Sequence, residues 1–231
     1  ILGAITVKLG NAPLATVAHW TVAMSLVAAV VATLIRAGGL GGAAARLGGA
    51  SRRTRRAAFA AAALALITVV MGGLTAKYPG AAVACQSFPL CGRNPDVAGG
   101  AVHVQLTHRV LAVLLILHLF GMVMALRKRR EAPVVRRAAA IALALGVLQL
   151  LVAGAMIGMR LPPVLRSLHE ATGVSIWIAT FALAYLARLA SDQPAAPRPA
   201  LASTPRPAAV PPVTRTMAHS VAVIVARGTD H

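Results

Sequence analysis

Acidic and aromatic side chains are both scarce in this sequence of 231 residues. Five Asp and Glu stand against 23 Lys and Arg, which gives a formal charge of +18 at pH 7, and only 3% of the residues are aromatic. Single-stranded nucleic acids are commonly bound by basic residues with aromatic ones among them, and the basic clusters of this chain contain no aromatic residue. The composition therefore argues against a nucleic-acid partner.

Charged residues of either sign make up only 12% of the chain, whereas 58% are hydrophobic and lie in long apolar runs. A soluble domain cannot bury so many runs, but a helix of about 20 apolar residues crosses a bilayer core of about 30 Å. The pattern predicts an all-α, polytopic helical bundle in a lipid bilayer. The five predicted spans cover about residues 14–35, 57–77, 103–126, 138–159 and 164–188, and residues 1–9 form a stub of a further helix.

The basic residues form two clusters, and the loops that alternate with them carry little charge. One cluster lies between the first and second predicted spans, and the other lies between the third and fourth. Cytoplasmic loops of membrane proteins are enriched in Lys and Arg, so both clusters are predicted to face the cytoplasm and the loop with the cysteines to lie outside. The clusters consist of Arg36, Arg46, Arg52, Arg53, Arg55 and Arg56, and of Arg127, Lys128, Arg129, Arg130, Arg136 and Arg137.

An internal repeat divides the chain. Gly3-Ala4-Ile5, Pro13-Leu14 and His19 are echoed by Gly154-Ala155-Met156, Pro163-Val164 and His169. Such repeats often build a site between two halves. We expect residues 1–56 to be the end of a first four-helix half with its cytoplasmic loop, two helices and most of a third being absent. Residues 57–190 are then expected to be a complete second half. Residues 191–231 are rich in Pro and Ala and are expected to form a disordered cytoplasmic tail.

Three histidines lie about five residues past the starts of the spans that begin outside: His19, His108 and His169. At about 1.5 Å per residue, all three lie roughly 7–8 Å inside the outer boundary. A single histidine in a membrane helix is more often an interhelical hydrogen-bond donor than a ligand. Three at one depth favour paired imidazoles that ligate a heme, with His108 and His169 as the pair. His103 is predicted to lie at the water interface, and His118 to serve packing or hydrogen bonding.

The other polar residues near these histidines leave alternatives open. Arg109 either extends to the interface or pairs with a heme propionate, which a guanidinium can bind with two hydrogen bonds. Gln149 is predicted to make an interhelical hydrogen bond. Cys85 and Cys91, the only cysteines, lie in an oxidising compartment and are either a structural clamp on their loop or a redox-active pair.

Together these motifs resemble the heme A synthase family of cytochrome oxidase assembly proteins, over about residues 1–188. The residues that carry the resemblance are Gly72-Gly73-Leu74-Thr75, Ala84-Cys85, Pro89-Leu90-Cys91, Thr107-His108-Arg109, Leu161-Pro162-Pro163 and Leu168-His169. The resemblance implies eight helices in two similar four-helix halves and a place in the bacterial cell membrane. It also implies oxidation of a ring methyl group of heme O to a formyl group, giving heme A, with water as the oxygen source.

The resemblance also assigns residues. His108 and His169 are expected to ligate a heme b cofactor, His19 to be one ligand of the heme O substrate, and Cys85 and Cys91 to form a disulfide. The family's acidic residue, three positions before a first-half histidine, has no counterpart here, and Gln105 holds the equivalent position before His108. An amide cannot take up a proton as a carboxylate can. We therefore expect the chain alone to hold heme b without turnover.

Two other functions remain open at this point. One is a transmembrane electron carrier that resembles the b-type diheme cytochromes, which need hemes near both membrane faces. The other is a transporter or assembly factor without a cofactor. The sequence also leaves open the electron acceptor, whether a heme O synthase docks on the chain and whether the chain forms homo-oligomers.

Overall fold

The computed structural model of the protein describes residues 1–192, which are almost entirely helical. Five long helices carry the fold, and the described residues contain no strand, only an isolated bridge between Cys85 and Arg93. The all-α prediction is confirmed. The helices are α1 (Leu2–Lys8), α2 (Pro13–Arg36), α3 (Gly42–Ala45), α4 (Arg52–Lys77), α5 (Gly99–Lys128), α6 (Pro133–Gly158) and α7 (Pro163–Asp192), with 3-10 turns at Gly39–Gly41 and Ala81–Val83.

Helices α2, α4, α5, α6 and α7 are each long and apolar enough to cross a membrane, as the sequence predicted for a multi-pass membrane protein. These helices are longer than the predicted spans because they continue beyond the apolar runs. The added residues include long charged side chains, whose charged groups can reach water. The predicted boundary between residues 56 and 57 therefore falls inside α4, and α7 extends to Asp192, two residues into the predicted tail. The rest of that tail, residues 193–231, lies outside the described residues.

Helices α4, α5, α6 and α7 pack as a ring in which each helix contacts its two neighbours, while α2 packs on α4 and α7. Helices α5 and α7 thus lie on a diagonal of the bundle. Small residues let the helices approach closely, as at Ala58, Ala61 and Ala65 of α4 and Ala187 of α7, all of which are fully buried. We call the end with the loop of residues 78–98 the cysteine-loop end, and the opposite end the arginine end.

The internal repeat appears in the structure as two matching turns. In the first turn, Asn11 N–H donates to the carbonyl of Thr6 (2.9 Å), and in the second, Leu161 N–H donates to that of Met156 (2.7 Å). Both turns place two successive residues in the left-handed region before the next helix begins with proline at Pro13 or Pro163. His19 and His169 therefore occupy equivalent positions in α2 and α7.

The arginine end is closed by a buried carboxylate that the sequence analysis did not single out. Glu131 accepts hydrogen bonds from the N–H (2.8 Å) and hydroxyl (2.7 Å) of Ser51 and from the hydroxyl of Thr54 (2.7 Å). Ser51 is the N-cap of α4, a position where a negative charge is stabilised by the helix dipole. This contact ties the α5–α6 connection to the start of α4.

Candidate functional site

Two histidines from diagonally opposite helices meet inside the bundle. His108 of α5 and His169 of α7 lie with their ring centroids 6.4 Å apart and their ring planes at 76°. Both rings line one cavity of about 290 Å³ towards the cysteine-loop end, which approaches the size of small-molecule sites. The structure thus brings together the two residues that the sequence analysis selected as a pair.

His108 is oriented by helix α4. Its Nδ1 lies 3.1 Å from the carbonyl oxygen of Thr68, and because that oxygen can only accept, Nδ1 carries the hydrogen and Nε2 is left with a free lone pair. Histidines that ligate metals commonly bond their second nitrogen in this way. Gly72, one turn further along α4, lets the ring approach, since a Cβ there would lie 3.0 Å from Cε1 of His108.

His169 is positioned through its backbone. The side-chain amide of Gln149 in α6 donates to the carbonyl of His169 (2.9 Å), and the hydroxyl of Thr172 donates to the amide oxygen of Gln149. The predicted interhelical hydrogen bond of Gln149 is confirmed. Within the described part of the chain, Nδ1 of His169 is buried without a hydrogen-bond partner, so this ring is not held by a protein acceptor at Nδ1.

The cavity walls between the histidines are mostly apolar. They come from all four helices of the ring, and Trp20 of α2 adds an aromatic side chain from outside it. Such walls exclude water and accept a largely hydrocarbon ligand. The apolar lining includes Val69, Ala112, Leu115, Ile116, Leu150 and Ile176.

The two imidazoles would fit as ligands of one heme iron between them. With a metal–nitrogen bond of about 2.0–2.1 Å and a nitrogen about 1.1 Å from the centroid of its ring, two imidazoles on opposite sides of one metal have centroids roughly 6.2–6.4 Å apart. The observed 6.4 Å agrees. Residues 1–192 contain no group of three or more His, Cys, Asp or Glu that could hold a metal ion. Two imidazoles alone are too few ligands for a typical zinc site, but they suffice where a porphyrin supplies four in-plane nitrogens.

A loop closes the cavity at its cysteine-loop end. Cys85 and Cys91 form a disulfide within this loop, which is the bond that the resemblance implied. Phe88 and Pro89 line the cavity, and Phe88 packs on α6, where a Cβ at Gly154 would lie 3.3 Å from its ring.

Arg109 and Gln105, both on α5, hold this loop. Arg109 donates to the carbonyls of Ser87 (2.8 Å), Pro89 (3.3 Å), Leu90 (3.4 Å) and Cys85 (3.3 Å). The side-chain oxygen of Gln105 accepts from the N–H of Cys85 at 2.6 Å. The sequence pattern did not predict these contacts. They show that Arg109 is anchored over the cavity rather than extended into water.

The remaining described histidines lie elsewhere. His118 bonds through Nε2 to the carbonyl of Ala57 (2.9 Å), as the hydrogen-bonding interpretation predicted, and the side chain of His103 is exposed. His19 packs on Gly3 of α1, where a Cβ would lie 3.3 Å from its ring. It does not line the cavity of His108 and His169.

Comparison with known proteins supplies one match. A family model described as cytochrome oxidase assembly protein matches residues 1–181, which is most of the chain and nearly all of its described part. No curated protein and no solved structure matches it.

Proposed function

The chain belongs to the cytochrome oxidase assembly protein family, and we propose that it is a heme A synthase that holds a heme b between His108 and His169. In this proposal it oxidises the ring methyl of heme O to the formyl group of heme A, which cytochrome oxidase requires. The observation that carries the proposal is the 6.4 Å separation of the two imidazoles inside an apolar cavity. That separation suits two axial ligands on one iron.

The residues around the pair have defined tasks in this proposal. A bound heme b supplies one-electron redox chemistry at its iron. The Thr68 carbonyl fixes the hydrogen of His108 on Nδ1 and so leaves the Nε2 lone pair free on a ring that lines the cavity. The apolar walls exclude water, and the loop held by Arg109 and Gln105 covers one end.

The proposal assigns His19 to the substrate. His19 is equivalent by the repeat to His169 and therefore suits one ligand of heme O. In the described part of the chain its ring contacts no other histidine. Its assignment is supported by the repeat and by the resemblance to heme A synthases.

The alternative of a transmembrane diheme carrier is less consistent with the structure. Such a carrier needs a second histidine pair towards the arginine end. Among the described residues, His118 is the histidine nearest to the arginine end. Its Nε2 is hydrogen-bonded to the carbonyl of Ala57. Residues 1–192 offer no partner for it, since His19, His103, His108 and His169 all lie nearer the cysteine-loop end.

The proposed activity can be tested in cells that make heme O but no heme A. The protein is expressed from its own gene with any coding sequence upstream of Ile1, beside a gene for residues 1–231 alone, and extracted hemes are separated by chromatography. We expect heme A to appear with the former and with its His103→Gln variant, and to be absent with its His108→Ala or His169→Ala variant. Residues 1–231 alone should hold heme b and yield no heme A, because the acidic residue expected for the reaction has no counterpart among them. Accumulation of wild-type protein in the membrane with heme O unchanged would argue against a heme A synthase.

A further inference from the structure

One end of the cavity of His108 and His169 carries charged side chains, and these are separate from the two histidines proposed as ligands. Three cationic side chains line it, Lys77, Arg109 and Arg166, together with a single carboxylate, Glu170. Three cations and one carboxylate leave a formal charge of +2 in a cavity that is otherwise mostly apolar. An excess of this size favours a ligand with two negative charges at one edge.

Lys77 and Arg166 lie on the same side of the histidine pair. Lys77 is the last residue of α4 and follows Gly72, which contacts His108, by five residues, or about 7–8 Å along the helix. Arg166 is in the first turn of α7 and precedes His169 by three residues, or about 4–5 Å. Both positions are displaced towards the cysteine-loop end.

The three cations differ in how far they are already engaged. Arg109 donates to four carbonyls of the cysteine loop. Lys77 and Arg166 make no side-chain hydrogen bond or ion pair with any described residue, and Arg166 is unpaired even though Glu170 follows it by one helical turn. Arg166 also lies where the dipole of α7 attracts anions, in a first turn without acidic residues.

We propose that Lys77 and Arg166 bind the two carboxylates of a porphyrin whose iron is ligated by His108 and His169, an inference that rests on the proposed function. The carboxylate edge of the porphyrin then faces the cysteine loop, and its opposite edge faces the arginine end of the bundle. Arg109 adds its charge to this edge while it holds the loop. Lys77 and Arg166 are binding residues that the sequence analysis did not identify.

The test compares two probes that differ only in carboxylate charge: ferric protoporphyrin IX and its dimethyl ester. Each is titrated into the full chain in detergent micelles after removal of bound heme, and binding is followed by visible absorption. The proteins are the wild type, the double variant Lys77→Gln/Arg166→Gln and the control Arg160→Gln. Arg160 lies in the same α6–α7 turn as Pro162 but does not line the cavity.

We expect the wild type and Arg160→Gln to bind the free dicarboxylate about 3- to 30-fold more tightly than the diester, as befits two partly exposed charge pairs. The double variant should lose most of this preference, keeping only the share that Arg109 contributes, and should bind the diester as the wild type does, which also shows that it is folded. Equal affinity of the wild type for both probes, or a preference retained in full by the double variant, would overturn the inference but leave the proposed function intact. A wild type that binds neither probe would overturn both.

Discussion

The imidazole rings of His108 and His169 meet across the diagonal of the α4–α7 bundle, with their centroids 6.4 Å apart. The two residues are on helices that do not pack as neighbours in the ring, so other helices must set the separation. Helix α4 contacts one ring through Thr68 and Gly72, and helix α6 holds the backbone of the other through Gln149. The geometry of the histidine pair therefore depends on the Thr68 carbonyl, on the absence of a side chain at Gly72 and on the Gln149 amide.

Substitution of Gly72 by Ala should weaken heme binding by roughly tenfold. The added Cβ would lie 3.0 Å from Cε1 of His108, which is too close, so the ring must shift away from the position that suits an axial ligand. The control is Gly121→Ala in α5, where a Cβ meets nothing within 4 Å. Both changes favour the helix by up to about 1 kcal/mol, so a difference in heme content at equal protein yield isolates the effect on His108. Equal heme content in the two variants would contradict the role given to Gly72.

Substitution of Arg109 by Gln should loosen the cysteine loop. The variant loses the charged hydrogen bonds to the carbonyls of Ser87, Pro89, Leu90 and Cys85, which together should contribute about 1–3 kcal/mol. Hydrogen exchange of the amide of Gln86, bonded to the Gly92 carbonyl, should accelerate by about 5- to 100-fold.

The control for the loop experiment is Arg93→Gln. Arg93 lies in the same loop, but its side chain makes no hydrogen bond with the described residues. We expect its exchange rates to match those of the wild type. Unchanged exchange in Arg109→Gln as well would show that the disulfide and Gln105 suffice to hold the loop.

Much of the fold could be predicted from the sequence, because a bilayer requires about 20 apolar residues for every helical span. Hydropathy placed all five long helices but not their ends, since α4 begins at Arg52 within a basic cluster and α5 continues to Lys128. A helix does not have to end where its apolar run ends. Long basic side chains allow the backbone hydrogen bonds to continue beyond the apolar core.

The site was only partly predictable for a different reason. The positions of His108 and His169 along their helices predicted that both lie at the same depth. Helices that are apolar on nearly all sides do not show which of their faces contact each other. The contacts of Thr68 and Gly72 with His108 depend on the rotation of α4. Glu131 is an acidic residue beside a basic cluster, and its partner Ser51 is 80 residues away. The sequence pattern therefore did not predict their contact.

Substitution of Glu131 by Ala should lower the free energy of unfolding by about 2–4 kcal/mol. The change removes the acceptor of three hydrogen bonds at the start of α4 and leaves the buried hydroxyl of Thr54 and the N–H and hydroxyl of Ser51 without it. Asp192→Ala removes only partly exposed ion pairs with Arg55 and Arg188 at the same end and should cost about 0–1 kcal/mol. Denaturant unfolding in micelles, followed by circular dichroism, compares them. Similar losses would show that Glu131 is not the main tie at the arginine end.

We propose that His108 and His169 hold one heme b. The most direct measurement is the visible absorption spectrum, with identification of the extracted heme, of the purified chain and of its His108→Ala, His169→Ala and His103→Ala variants. We expect a low-spin b-type spectrum in the wild type and in His103→Ala, and its loss in each of the other two. A wild-type protein that is helical and folded but colourless, or a low-spin spectrum that survives both substitutions, would contradict the claim.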